Sequence, residues 1–543
     1  MRKLKKLMLI GLLLISVSGC SLLHKDVSDE QNNLLEENAG VDQEANTGED
    51  SNVQSTATQM VIAMNTPKTL NPLYNTQANV EQALYLIFSP LVNVKEDGSI
   101  SDNLAKSWII NENNTAVTVT LKEGLTWHDG TPLTSDDVIF TLGKIQTIAD
   151  SPYKQAVENL QTVERIDSTT FKIVYKQSFS GILQTLFFPV IPEHIYNVEN
   201  SDSMNITPIG SGPYKYERTT PLEAIHLVAN ASYFNGKPNI EKIQINLIPD
   251  EASSLYSFKQ GLIDVVYTSE TEWGKYTNNA SNTPVEMVSP IYEFMGLNFN
   301  KPLFQNEMIR SALVYALNRQ DIVRLYYLGH AIVTDTPISP ASYLYDKNLE
   351  IKEYDKEKAK LLLTQEGYQL DNDTGLMTKN GMPFSFTLMV NKENSDRVKV
   401  AKEMQRMYAE VGIDMQIDIV EKDVYLSRLV AKQYDAFLGG WQLSYALDLS
   451  FAFHSTSILN GENYINYKDE KMDELLQQAF LATNDTINEA YSKLQQYFAS
   501  TNPYISLYFK KSVLMTKNII GGNIEPTPLN VFANVEEWTI GEK

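Results

Sequence analysis

Beyond residue 58 the chain breaks into short apolar runs separated by segments of helical period. After Gln59, residues 60–64 are all apolar, and 59–64 reads as a buried first strand. Residues 116–121 alternate at period two, the mark of a half-buried strand. Further strands are predicted over 171–175, 243–247, 263–267, 384–390, 415–420 and 436–440. Between them lie helical patterns over 79–88, 251–260, 304–329 (a pair), 355–367, 395–411, 426–433, 471–482 and 485–500. Thr134 followed by Ser-Asp-Asp137 predicts a capped helix start, and Gly261 a helix stop. Pro72 forces Asn71 out of the helical region, so 69–74 reads as an extended turn. Strands that alternate with helices indicate an α/β chain with at least partly parallel sheets.

The segment before residue 59 has a different grammar. Arg2, Lys3, Lys5 and Lys6 precede an apolar stretch over 7–17, too short to span a bilayer as a mature helix. It ends Val17-Ser18-Gly19-Cys20, and small residues before a cysteine resemble the lipobox of bacterial lipoproteins. The resemblance implies a lipoprotein signal peptide over 1–19 and a lipid on the Cys20 thiol. An ordinary signal peptide with an incidental cysteine is the alternative. Residues 20–58 are acidic, contain no aromatic residue and cannot bury enough surface to offset ordering entropy, so they read as a disordered tether. The expected location is the extracytoplasmic face of the cell membrane, anchored by lipid.

Composition narrows the function. A chain of 543 residues exceeds one hydrophobic core, so two or more domains are expected. A formal charge of −22 argues against a nucleic-acid surface, which needs basic groups to neutralise phosphates. One cysteine excludes an internal disulfide framework, and six scattered histidines make a His-rich metal centre a poor reading. Gly210-Ser-Gly-Pro-Tyr214 lacks the lysine and the strand-to-helix setting of a phosphate loop. With no Gly-x-Ser-x-Gly or His-Glu-x-x-His motif either, the chain reads as a binding protein that carries out no chemistry and takes no cofactor and no metal.

An ordered set of segments resembles the family 5 extracytoplasmic solute-binding proteins that feed ABC importers. The set comprises Ala105-Lys-Ser-Trp108, 117–138 with Trp127-His-Asp-Gly130, Gly210-Ser-Gly-Pro-Tyr214, 258–264, Leu297-Asn-Phe-Asn300, 309–319, 354–359, and Gly440-Trp441 with Asp448 and Phe453-His-Ser455. The resemblance implies an α/β, two-lobed periplasmic-binding-protein-like fold of the class II type. Lobe I would take 59–295, with a small subdomain over about 91–204, lobe II would take 296–503, and 504–543 would return to lobe I. The crossings would act as hinges, and closure over a ligand would be a population shift read by a permease. Expected partners are an oligopeptide, an ABC permease with its ATPase subunits, and the membrane through the lipid, with the protein itself a monomer.

The resemblance also points to residues. In Gly439-Gly-Trp441-Gln442-Leu443-Ser444-Tyr445 the backbone would pair with the peptide and Trp441 would wall a side-chain pocket; a core tryptophan with a glycine bulge is the alternative. Short-peptide binders of this family carry an aspartate for the ligand's ammonium where this chain has Ser444, a neutral acceptor. Asp448 is the nearest carboxylate in sequence and either takes that role or caps the next turn. Peptides longer than three residues are therefore expected. Tyr153 and Tyr74 resemble family positions that reach or border the cleft, with turn tyrosines as the alternative. Arg310, Arg319 and His128-Asp129 read as structural, and His454 as a surface histidine. Competing readings are a same-fold receptor for a nickel chelate, haem, an oligosaccharide or a signalling peptide, and, less well supported, a secreted hydrolase.

Overall fold

A computed structural model of the protein describes residues 59–277 and 282–541. The leader, Cys20 and the acidic segment up to residue 58 lie outside the described residues.

Two strands much longer than the others organise the chain. Asn282–Leu297 and Tyr504–Lys517 run antiparallel to each other. At one end, Met287 and Leu514 enter a hydrophobic core shared with the N-terminal part of the chain. At the other, Met295, Leu297, Ile505 and Leu507 enter a second core. The chain therefore crosses twice between two bodies, the topology of a two-lobed molecule.

The first lobe is built on Gln59–Asn65, parallel to Lys242–Ile248, with Ala224–Ala229 and Tyr214–Thr220 added antiparallel. An outlying antiparallel sheet joins Ala105–Ile110, Ala116–Leu121, Thr170–Tyr175 and Leu160–Arg165. The helix Ser135–Thr147 beside it starts at a capping box: the Thr134 hydroxyl accepts from the first turn, and the Asp137 carboxylate accepts from the Thr134 N–H at 2.9 Å. The last residues of the chain, including Val535 and Trp538, return to this lobe's core.

In the second lobe Ser385–Asn391 pairs in parallel with both Asp414–Val420 and Ala436–Gln442, and the crossing strands extend the sheet. Leu388 and Leu438 face one core while Met389 and Phe437 face another. A sheet covered on both sides explains why Ala436–Gln442 and the latter half of Ser385–Asn391 are buried at successive positions, whereas Asp414–Val420 alternates polar with apolar residues. The helix expected over 426–433 starts earlier, at Lys422–Val430, and that expected over 79–88 is Ala78–Leu84.

Between the lobes the ladder is broken. Val288 pairs with Lys511 and Tyr292 with Phe509, so Ser289, Pro290 and Ile291 oppose Lys510 alone. Pro290 has no N–H to give, and the Ser289 hydroxyl donates to the Lys510 carbonyl at 3.0 Å instead. The bulge lies where both strands pass from one core to the other, at the hinge region that the family resemblance implies. Among the described residues no helix is long and apolar enough to cross a membrane.

Candidate functional site

The strand Ala436–Gln442 ends at the hinge, where the Leu443 N–H donates to the Pro290 carbonyl at 2.9 Å. The next residues meet the first lobe. The Ser444 hydroxyl donates to Gln155 Oε1 at 2.7 Å, and Gln155 Nε2 donates to the Ala446 carbonyl at 3.2 Å. On the same seam the Ser180 N–H donates to the Phe480 carbonyl at 2.7 Å. Gln184 Nε2 donates to the Tyr343 hydroxyl at 3.0 Å.

A short hairpin, Asn93–Val94 with Ile100–Ser101, pushes its tip into the second lobe. The Tyr343 N–H donates to the Asp97 carbonyl at 2.9 Å. Gly98, at φ +82°, lies against the Tyr445 ring, and a Cβ there would stand 3.1 Å from Tyr445 Cδ1. Glycine is needed twice over, for the backbone angle and for the space.

Between hairpin, hinge and second lobe lies a pocket of about 50 Å³, lined among others by Glu96, Asp97, Ser289, Pro290, Tyr343 and Tyr445. Ligand pockets run to about 300–1,000 Å³, so in this arrangement the junction is closed to a ligand of that size. A second pocket, of about 410 Å³, lies on the second lobe away from the seam. Lys301 pairs with Asp435 at 2.7 Å and Arg428 with Asp418 at 2.5 Å, while Lys432 Nζ donates to the Ile458 carbonyl at 2.9 Å.

Of the residues expected from sequence, Leu443, Ser444 and Tyr445 line the seam pocket. Trp441 is 4% exposed and belongs to the second lobe's core. Its ring stacks with Phe294 and Tyr464, meets Phe451 edge-on at 5.0 Å, and its indole N–H donates to the Tyr504 hydroxyl at 3.4 Å. Gln442 is exposed at the strand end. Asp448 accepts from the Ser450 N–H at 2.9 Å. Tyr153 is buried, donating to Glu81 Oε1 at 2.9 Å with the Tyr85 hydroxyl 3.2 Å away. Burial pushes the Glu81 carboxyl up, against the lowering effect of those two phenols. The Tyr74 hydroxyl is 3.4 Å from the Ser201 hydroxyl.

The glycines before Trp441 make room within the protein. A Cβ on Gly440 would collide with Arg397 Nη2 and stand 2.8 Å from Glu293 Oε1. Glu293 and Arg397 form a bidentate pair at 2.7 and 3.0 Å, each 3% exposed, with Lys510 Nζ 3.6 Å away. Burial alone would raise the Glu293 carboxyl, but Arg397 and Lys510 together outweigh it and hold it below the usual range. Arg310 donates mainly to backbone carbonyls, and Arg319 pairs with buried Asp335 at 2.5 Å. His454 accepts from the Thr456 N–H at 3.2 Å. Among the described residues no group of three His, Cys, Asp or Glu could hold a metal ion.

Sequence reasoning missed Glu96, Asp97, Gly98, Ser289 and Tyr343. Asp97-Gly98 is a hairpin-turn signal, but nothing in the sequence says that the tip reaches the other lobe.

Two α/β bodies joined by paired crossing strands, with a pocket at the junction, define the class of two-lobed solute-binding proteins. The family model for bacterial extracellular solute-binding proteins, family 5 (Middle), matches residues 99–462, and the chain belongs to that family. It is 28% identical over 503 residues to the oligopeptide-binding protein AppA of Bacillus subtilis, covering 89% of this chain and 91% of that one. It is 27% identical over 390 residues to the nickel-binding periplasmic protein of Escherichia coli, covering 68% and 72%. The structure of Bacillus subtilis AppA in complex with a nonapeptide superposes with a TM-score of 0.64 at 27% identity, over 89% of this chain and 99% of that one.

Proposed function

We propose that the protein captures oligopeptides between its lobes and hands them to an ABC permease driven by its ATPase subunits, without chemical change to the peptide. The reading divides the chain into lobe I (59–295), lobe II (296–503) and a return to lobe I (504–543). It places the protein outside the membrane as a monomer moored by a lipid on Cys20. The observation that carries it is the course of Leu443, Ser444 and Tyr445, which run from the end of a sheet strand into the pocket between the lobes. A peptide laid along this segment exchanges backbone hydrogen bonds with it and leaves its side chains to the surrounding pockets. Similarity to a protein named for oligopeptides, over nearly the whole chain, supports the same ligand class.

Titration calorimetry tests the reading. A nonapeptide pool should bind more tightly than free di- and tripeptides. Tighter binding of the short peptides, or of a nickel–histidine chelate, counts against it.

A further inference from the structure

We propose that the seam pocket selects its ligand by positive charge, and that the captured peptide presents its free α-ammonium to Glu96 and Asp97 at the tip of the first-lobe hairpin. The inference rests on the oligopeptide reading and deepens it.

Among the described residues lining the pocket, the charged side chains are Glu96 and Asp97; no lysine, arginine or histidine lines it. Glu96 forms no hydrogen bond or ion pair with another described residue. Asp97 uses Oδ1 to accept from the Ser99 N–H at 2.9 Å, which fixes the carboxylate and leaves Oδ2 for a ligand. Next to them Gly98 lies against the Tyr445 ring, with Tyr343 4.0 Å from the position of a Cβ. Burial first, then Tyr267 and then the neighbouring charge of Glu96 make the Tyr445 phenol harder to ionise; burial does the same to Tyr343, against the Gln184 hydrogen bond and with a smaller push from Asp97. Both phenols therefore stay neutral where they line the pocket. Two carboxylates beside two neutral tyrosines form a receptor for an ammonium group, through ion pairing.

The opposite wall supplies nothing equivalent. Ser444 is a neutral hydroxyl already donating to Gln155. The charge of this pocket therefore sits on the first lobe's hairpin and not on the second lobe's strand. That hairpin also receives the Tyr343 N–H from the second lobe. An ammonium held there sits where the lobes join, so binding it favours closure. With no cation in the lining, a ligand carboxylate finds no partner in this pocket and anionic solutes are disfavoured.

The test uses three random nonapeptide pools, with free ends, with N-acetylation and with C-terminal amidation, titrated into the intact protein. The free and amidated pools should bind alike and the acetylated pool on the order of tenfold more weakly, the worth of one charge-assisted contact. The double variant Glu96→Gln/Asp97→Asn should erase that difference by weakening only the pools with a free amine. Asp97→Asn keeps a side-chain carbonyl to accept from the Ser99 N–H, so the hairpin is retained. Equal binding of acetylated and free pools, or a preference that survives in the double variant, overturns the inference and leaves the oligopeptide reading standing. Failure of all three pools to bind overturns both.

Discussion

Gly440 lies directly against the guanidinium of Arg397, and its missing side chain is the space the ion pair with Glu293 occupies. Glu293 belongs to one crossing strand, Lys510 to the other, and Arg397 to the helix Ser395–Glu410. Gly440→Ala should therefore displace a fully desolvated pair at the root of the hinge. Breaking such a pair costs about 3–5 kcal/mol. Denaturant unfolding should show a loss of that size, and Glu293→Gln should match it by leaving Arg397 unpaired. A Gly440→Ala variant within about 0.5 kcal/mol of the parent would mean that the strand shifts to accommodate the methyl.

Trp441 provides a second check. Its stacking with Phe294 and Tyr464 predicts that Trp441→Ala costs about 3–5 kcal/mol of stability, the usual range for an aromatic removed from a core. Trp441→Phe should recover much of it. Were Trp441 chiefly a ligand wall, stability would hardly move while peptide affinity fell, and paired unfolding and titration measurements separate the two.

These cases show what the sequence could and could not convey. Thr134 capped its helix as local chemistry required, because a cap is decided within four residues. Strands such as Ser385–Asn391 were legible because burial on both faces leaves an apolar stretch, Leu388 to Val390, at its centre. Gly439 and Gly440 before Trp441 signalled close approach, yet the approaching group is Arg397, distant in sequence and visible only in three dimensions. The hairpin tip at Glu96 and Asp97 was equally hidden, since a turn signal does not report which surface the turn touches. The crossing strand Asn282–Leu297 was obscured by Ser289 and Pro290, which interrupt the alternation where the ladder itself is interrupted.

His128 links stability to pH. Its Nδ1 accepts from the Gly210 N–H at 3.3 Å while Nε2 faces the Gly212 carbonyl at 3.0 Å, an arrangement that suits the neutral ring. Burial, helped by Lys215, brings it down to about 4 against the pull of the Gly212 carbonyl. The unfolded chain takes up this proton near pH 6.5 and the folded one near 4, so the unfolded state binds more protons between them. The contribution is intact above pH 6.5 and fades as pH falls to 4, by about 3 kcal/mol in all. In His128→Gln the unfolding midpoint should fall less steeply across that window. An unchanged slope would show that the ring is already charged in the folded protein.

The lipid assignment is tested apart from the fold. Cys20→Ala should move the protein from the membrane fraction to the medium and remove acyl mass from its N-terminus, since each buried CH₂ contributes about 0.8 kcal/mol of membrane attachment. A variant that stays membrane-bound after a salt wash would point to another anchor.

Gly181 offers control over closure itself. It faces Ala446 across the seam, and a Cβ there would stand 2.8 Å from the Ala446 Cβ and 3.1 Å from its Cα. The Gly181 backbone lies outside the left-handed region, so a side chain is tolerated locally and blocked only by the other lobe. Gly181→Val should act as a wedge. It parts the lobes and weakens the adjacent Ser180–Phe480 and Gln155–Ser444 bonds without disturbing either core. Small-angle scattering should then report a larger radius of gyration. Affinity for a nonapeptide should fall with the fraction of closed molecules, on the order of tenfold if that fraction falls tenfold. Unfolding midpoints should stay within about 0.5 kcal/mol of the parent, because the clash is relieved by hinge motion at Ser289–Ile291 rather than by unfolding. Should the scattering profile stay unchanged and the stability drop instead, the lobes would be one rigid body, and ligand capture by closure would have to be abandoned.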